Sequence, residues 1–147
     1  MSELDYDDPE VEIQWCEETL AGVRRYLEGE GVRFGEIAEW PAWHIAPYVS
    51  IWAVESGEIP DALGWWVIAG DLPSDYLPGH EADDPREAMR LFSLRWQRLV
   101  DAWEREQEPG DTIVGSPSDH PTLMPLLRPR AKMLMEWVVD DDLWEEE

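Results

Sequence analysis

Two apolar runs near the middle of the chain constrain the fold most. The first covers about 48–55 and the second about 64–70, and both are rich in valine, isoleucine and tryptophan. The segment Ser56 to Asp61 between them has the glycine and proline content of a turn. Because consecutive strands with a short connection pair antiparallel, the sequence predicts a hairpin. Both faces of the first run are mostly apolar, which favours a strand covered on both sides.

Two segments with apolar residues at alternating spacings of three and four lie on either side of this hairpin. The first follows Asp8-Pro9, a capping aspartate with a first-turn proline, and ends at Gly29. The second begins at Asp84-Pro85 and stops at Pro109-Gly110. This spacing is typical of helices with one buried face. The sequence therefore predicts two long helices.

The C-terminal region is harder to interpret because prolines interrupt it. Four prolines within 115–129 favour only short helical turns there. A final helix is predicted at 131–139, and 112–114 is a candidate third strand. The predicted fold class is α+β, a small antiparallel sheet around a central hairpin covered by two long helices and a C-terminal helix. We expect a single domain over 1–147, with acidic frayed ends at about 1–8 and 140–147.

The charge of the chain limits its partners. It carries 34 acidic and 11 basic residues, a formal net charge of −23. Such a charge repels nucleic acid and anionic lipid within a Debye length, roughly 8 Å at physiological salt. We therefore expect no direct nucleic-acid or membrane binding. A solubility role, adaptation to high salt and an acidic surface for a basic partner all remain open.

Ten tryptophans are many for a domain of this size. Each buries roughly 150–250 Å², so some are expected at the surface, although an aromatic core accounts for most of them. Tryptophan is enriched at interface hot spots, which favours partner binding or a homodimer. The predicted partner-binding residues are Trp65, Trp66, Asp71, Asp75, Tyr76, Glu81, Asp83 and Trp144.

The acidic segment from Asp71 to Asp84 is predicted to be a long loop. Its candidate catalytic residues are Asp71, Asp75 and His80, since crowded carboxylates shift one another's pKa or hold a hard divalent cation. The simpler interpretation is turn formation by the aspartates and serine. The spacing matches no calcium-loop pattern. We therefore predict no metal site and no cofactor.

Cys16 is the single cysteine of the chain. One cysteine excludes an intrachain disulfide and a thiolate zinc site, and it fits a reducing compartment. The acidic start of the chain is the opposite of the basic segment that begins a signal peptide. Together these features predict a cytoplasmic protein.

The central motifs resemble those of a known family. The residues concerned are the run Tyr48 to Ser56, the motif Gly-Trp-Trp-Val-Ile-Ala-Gly-Asp-Leu-Pro-Ser-Asp-Tyr at 64–76, and Asp84-Pro-Arg-Glu-Ala88. They resemble a family of small uncharacterised bacterial proteins that share a domain of unknown function. The resemblance covers about 48–103 and implies a bacterial, cytosolic α+β protein without an assigned activity. The general build, small, acidic and aromatic, is also similar to that of bacterial immunity proteins.

The leading functional hypothesis is a non-enzymatic, acidic protein-binding module. Its most concrete form is an immunity or antitoxin-type inhibitor of a basic bacterial effector, either a toxin or a nucleic-acid-binding protein. One alternative is a small metal- or acid/base-dependent hydrolase that uses the 71–84 segment. The other alternative is a DNA mimic, because the net charge matches that of a short duplex.

Overall fold

The computed structural model of the chain describes residues 6, 8–45, 47–105 and 120–144. Its elements in chain order are helix α1 (Pro9–Gly29), strands β1 (Phe34–Ile37), β2 (Trp43–Ile45), β3 (Val49–Ser56), β4 (Leu63–Gly70) and β5 (Leu72–Pro78), and helices α2 (Pro85–Glu104) and α3 (His120–Val138). Short 3-10 helices occupy Gly79–Glu81 and Asp141–Trp144. The fold is α+β with an antiparallel sheet, which confirms the predicted class.

Helix α1 begins where the sequence predicts. Asp8 caps it, because its Oδ1 accepts a hydrogen bond from the amide of Glu10 at 2.9 Å. Pro9 occupies the first turn, where its missing N–H leaves no hydrogen bond unmade. The helix ends after Gly29 at the residue predicted to stop it.

The predicted hairpin is the centre of the sheet. The strand order is β1-β3-β4-β5, and β2 also pairs with β3, so β1 and β2 follow each other along one edge of β3. All neighbours are antiparallel, with Trp52 opposite Val67 in the central pair. The observed strands agree with the predicted bounds to within one residue. The third strand predicted at 112–114 lies outside the described residues.

A hydrophobic core lies between α1 and one face of the sheet. Its buried members come from α1, β1, β3 and β4, and they are Val23, Leu27, Ile37, Trp52, Val54, Val67 and Ala69. The polar groups inside are satisfied: Trp52 Nε1 donates to Ser50 Oγ at 2.7 Å, and Ser50 Oγ donates to the Ala69 carbonyl at 2.8 Å. Fully burying side chains of this size contributes about 1.5–3 kcal/mol each to stability.

The prediction of a loop over 71–84 is wrong for most of that segment, because Leu72–Pro78 forms β5. Tyr76 pairs with Val67 and Leu77 pairs with Trp66, so the strand completes the sheet beside β4. Strand β5 pairs with β4 alone among the described strands, and an edge strand tolerates proline since half of its N–H groups need no ladder partner. The proline and aspartate content of β5 is typical of a loop, and for this reason the strand was not predicted.

Helix α2 confirms the predicted buried face, whereas α3 is longer than predicted. Side chains of α2 at helical spacing are buried, among them Met89, Phe92, Trp96 and Leu99. Helix α3 runs through Pro125 and Pro129, so the prediction of only short turns before 130 is wrong from 120 onward. Its buried residues repeat at spacings of three and four, and packing of this face outweighs the proline cost; they are Met124, Leu127, Ala131, Leu134 and Val138.

The chain divides into two compact units, Met1–Pro85 and Arg86–Glu147. The expectation of a single domain over 1–147 stays a prediction. In the part of the chain that the structure describes, no helix is long and apolar enough to cross a membrane.

Candidate functional site

The three candidate catalytic residues are spread along β5 rather than gathered in one site. Asp71 lies exposed in the turn before the strand, and His80 lies exposed in the 3-10 helix after it. Asp75 is buried in the middle of the strand. At about 3.4 Å per residue, β5 separates its two ends by roughly 20 Å. Asp71 and His80 are therefore at opposite ends of the sheet.

No arrangement suited to a metal ion is found elsewhere in the described residues either. Within 6, 8–45, 47–105 and 120–144, no group of three or more His, Cys, Asp or Glu side chains is placed to hold a metal ion. The Asp75 carboxylate accepts a hydrogen bond from the amide of Tyr76 at 2.9 Å. Asp71, Asp75 and His80, the residues named for the hydrolase alternative, therefore do not come together at one point.

The aromatic residues predicted to bind a partner are part of the packing of the sheet. Trp66 is 5% exposed, and its indole N–H donates to the Ala82 carbonyl at 3.0 Å. Trp65 is half-buried and donates to the Arg33 carbonyl at 2.9 Å. Tyr76 meets Trp65 edge-on, with ring centroids 5.5 Å apart. Trp66 therefore offers a partner almost no surface.

The remaining predicted partner-binding residues are more accessible. Glu81 and Asp83 are exposed at the end of the sheet opposite Asp71. Trp144 is half-buried in the last 3-10 helix, where its indole N–H donates to the Trp137 carbonyl at 2.9 Å and the Arg86 guanidinium lies 5.8 Å from its ring. Glu81 and Asp83 therefore do not form one surface with Asp71.

Trp15, Trp40 and His44, which were not selected from the sequence, are in ring contact, and the exposed Tyr48 follows four positions after His44; these four residues are called the aromatic patch below. His44 is its centre, with the Trp40 ring edge-on at 5.2 Å and the Trp15 ring stacked at 6.2 Å between centroids. Trp40 is 44% exposed and Tyr48 is 50% exposed. The aromatic density of 40–48 was a signal for this patch, but nothing in the sequence joins Trp15 to it.

A hydrogen-bonded contact between a histidine and a glutamate orients the centre of the aromatic patch. His44 Nε2 lies 2.9 Å from Glu12 Oε2, which ties β2 to the first turns of α1. Strand β2 itself is short, and it is held by pairing with β3, where Trp43 lies opposite Ile51. The patch therefore joins α1 to the neighbouring strands β2 and β3, and the contacting residues Glu12 and His44 are 32 positions apart.

A pocket of about 370 Å³ adjoins the aromatic patch. Helix α1 contributes Trp15, Thr19 and Gly22, which share one helical face at spacings of four and three. Its other lining residues come from the turn before β3, from the end of β4, and from the first part of β5 with the turn that precedes it, and they are Pro47, Ala69, Gly70, Asp71 and Ser74. Of the predicted site residues, Asp71 alone lines this pocket.

Glycine at position 70 fixes the turn beside the pocket. Gly70 has φ +143°, and a Cβ there would lie 2.5 Å from the Tyr48 carbonyl oxygen. The same carbonyl accepts a hydrogen bond from the amide of Asp71 at 2.9 Å. The close approach holds Asp71 beside the turn that carries Tyr48.

A second, wider groove of about 600 Å³ lies along β3 and holds the acidic residues Glu36, Glu55 and Asp61. The Glu55 carboxylate accepts hydrogen bonds from the amides of Asp61 at 2.8 Å and Glu36 at 2.9 Å. These two bonds, that from Asp61 first, hold the pKa of Glu55 below its usual value. Glu55 therefore stabilises the hairpin turn between β3 and β4 by binding the amide of Asp61.

Cys16 is buried in α1. Burial, with a smaller contribution from the charge of Glu12, raises the pKa of its thiol to about 11. A thiol with such a pKa stays protonated near neutral pH and is a poor nucleophile. This finding agrees with the structural role expected for a cysteine on the apolar face of the helix.

Comparison with protein families gives a match over most of the chain. A family model described as a domain of unknown function, DUF4826, covers residues 10–144. The chain belongs to the DUF4826 family. The match extends from α1 to the last 3-10 helix, so this DUF4826 domain is wider than the 48–103 segment that carried the resemblance. Neither the curated proteins nor the solved structures contained a match to the chain.

Proposed function

We propose that this DUF4826 domain is a non-enzymatic protein-binding module for a basic protein. The observation that carries the proposal is the aromatic patch, because it exposes large rings whose neighbours are held in place. Trp40 and Tyr48 keep roughly half of their surface in solvent although each lies beside a paired strand. Exposed, pre-positioned aromatic residues are the usual anchors of protein interfaces.

Charge supports a basic partner. The chain has a net charge of −23, and a negative net charge speeds the association of a positively charged protein. Glu12 lies at the centre of the patch and Asp71 at its edge. The aromatic rings of the patch supply the apolar surface that is buried in the complex and slows dissociation. The carboxylates favour basic groups on the partner.

In its most specific form, the proposal is that the partner is a bacterial toxin or another basic effector. The chain would then be an immunity or antitoxin-type inhibitor of that effector. The support is the small, acidic and aromatic build of the chain. An inhibitor needs a binding surface and no chemistry of its own.

The test is capture of partners by the immobilised full chain from cells of its source organism, with elution by increasing salt. We expect one stoichiometric, basic protein that is retained by the wild type and lost by the double variant Trp40→Ala/Tyr48→Ala. Trp103→Ala is the matched control, since Trp103 is an exposed tryptophan on α2. Equal capture by the double variant would contradict the proposal. So would a wild-type homodimer that the double variant converts to a monomer, because the patch would then serve self-association.

A further inference from the structure

The pocket beside the aromatic patch has a composition that selects for positive charge. Its lining residues include the aromatic Trp15, the acidic Asp71 and the hydroxyl-bearing Thr19 and Ser74. Asp71 is the one ionisable residue among the described residues that line it. From this we infer that the pocket receives one arginine or lysine side chain of the protein partner, an inference that rests on the proposed function.

The aromatic wall and the carboxylate act on the same kind of ligand. A guanidinium or ammonium within about 6 Å of an indole ring is attracted by the electrons of the ring face. The carboxylate of Asp71 then accepts charge-assisted hydrogen bonds from the same group. Thr19 Oγ1 donates its proton to the Trp15 carbonyl at 2.7 Å, so toward any further group this oxygen can act only as an acceptor.

The size of the pocket suits a single side chain. Its volume of about 370 Å³ is near the lower end of the range for small-ligand pockets, roughly 300–1,000 Å³. Gly22 keeps the helix side open, because a Cβ there would meet only Arg25 Nη2, at 3.9 Å. A long, thin cationic side chain fills such a space while the partner covers the aromatic patch around it.

Arg25 provides a test of whether the pocket binds a cation or an anion. Its Nη2 lies 3.9 Å from the position of a Cβ on the lining residue Gly22, so its positive charge opposes a bound cation and would favour a bound anion. The negative charge of Asp71 favours a bound cation and opposes a bound anion. Removing one charge at a time thus distinguishes the two classes of ligand.

The experiment is a titration of the ¹⁵N-labelled full chain with Nα-acetyl-arginine N-methylamide, followed at the amide signals of Gly22, Gly70 and Asp71. The citrulline analogue, which keeps the shape and loses the charge, is the matched control. We expect saturable shifts with the arginine compound and none with the citrulline compound. Asp71→Asn should weaken binding about 2- to 5-fold, as for other exposed ion pairs, and Arg25→Gln should strengthen it by a similar factor.

Two further variants complete the test. Gly22→Leu should abolish the shifts at positions 70 and 71 without lowering the melting temperature, because it fills the pocket and removes a helix-weakening glycine. Glu30→Gln, at the other end of α1, should leave binding unchanged. Equal shifts with citrulline, weaker binding by Arg25→Gln, or unchanged binding by Asp71→Asn would overturn the inference. Since the probe is a small molecule, such a failure leaves partner capture through Trp40 and Tyr48 intact, and a failed capture leaves the pocket result intact.

Discussion

His44 and Glu12 are 32 positions apart, yet His44 Nε2 and Glu12 Oε2 meet at 2.9 Å. The pair joins β2, a strand of three residues, to the start of α1. The pair is partly buried, with the Trp15 ring stacked on the imidazole and the Trp40 ring edge-on to it. This single contact sets the shape of the aromatic patch.

Replacing Glu12 should therefore loosen the patch. We expect Glu12→Ala to lower the free energy of unfolding by about 1 kcal/mol, the value of a partly exposed charged hydrogen bond. Urea denaturation measures this loss, and the indole signal of Trp40 should move at the same time. Glu17→Ala, an exposed glutamate on the same helix, should change stability by less than about 0.5 kcal/mol. Equal effects from the two substitutions would mean that the pair does not hold the patch.

Ser50 is a buried hydroxyl with two partners, and its loss should cost more than that of an exposed serine. Ser50→Ala leaves the Trp52 indole N–H and the Ala69 carbonyl without their hydrogen bonds inside the core. We expect about 2–3 kcal/mol of lost stability by denaturant unfolding. Ser56→Ala removes an acceptor from the amides of Glu58 and Ile59, which water reaches, so it should cost under about 1 kcal/mol. A Ser50 variant as stable as the Ser56 variant would rule out the network.

The contribution of Glu55 should depend on pH. Its pKa is lower in the folded chain than its ordinary value of 4.5, because the amides of Asp61 and Glu36 bind the ionised form. The stabilisation is therefore complete above that ordinary value and disappears as the pH falls through the lowered pKa. The melting temperature of Glu55→Gln should lie below that of the wild type at neutral pH, and the gap should close in acid. The exposed Glu39→Gln is the control, and a gap that stays constant with pH would contradict the assignment.

Two glycines should respond in opposite directions to alanine. Gly22 lies within α1 with open space around it, so Gly22→Ala should stabilise the chain by about 0.5–1 kcal/mol. Gly70 has φ +143° and a carbonyl oxygen 2.5 Å from the position of a Cβ, so Gly70→Ala should cost about 2 kcal/mol or more. Thermal unfolding of both variants measures the contrast. A neutral Gly70→Ala would show that the β4–β5 turn adopts another conformation.

The local sequence pattern predicted those helices and strands for which local preference and tertiary packing favour the same structure. Asp8-Pro9 marked the start of α1, and the alternating apolar spacing of α2 marked its buried face. The hairpin of β3 and β4 followed from two continuous apolar runs. In each case the same residues carry both the local preference and the tertiary contacts.

The errors occurred where pairing or packing outweighed local preference. Pro73 and Pro78 made β5 resemble a loop, although its register with β4 places Leu77 and Asp75 on one buried face. Pro125 and Pro129 hid the first half of α3 in the same way. The candidate site was missed for a different reason. Trp15 and Asp71 meet only through the fold, while the motif residue Trp66 is used for packing.

The pocket exists only when α1 lies against the end of the sheet, because Trp15 and Asp71 belong to segments far apart in the chain. The unfolded chain has no equivalent site, so any occupant must bind the folded form preferentially. A ligand present at a hundred times its Kd then adds about 2.7 kcal/mol to the free energy of unfolding. Melting temperature thus becomes a reporter for occupancy, and a thermal-shift screen of cationic compounds and peptides would identify ligands before any biological activity is assigned.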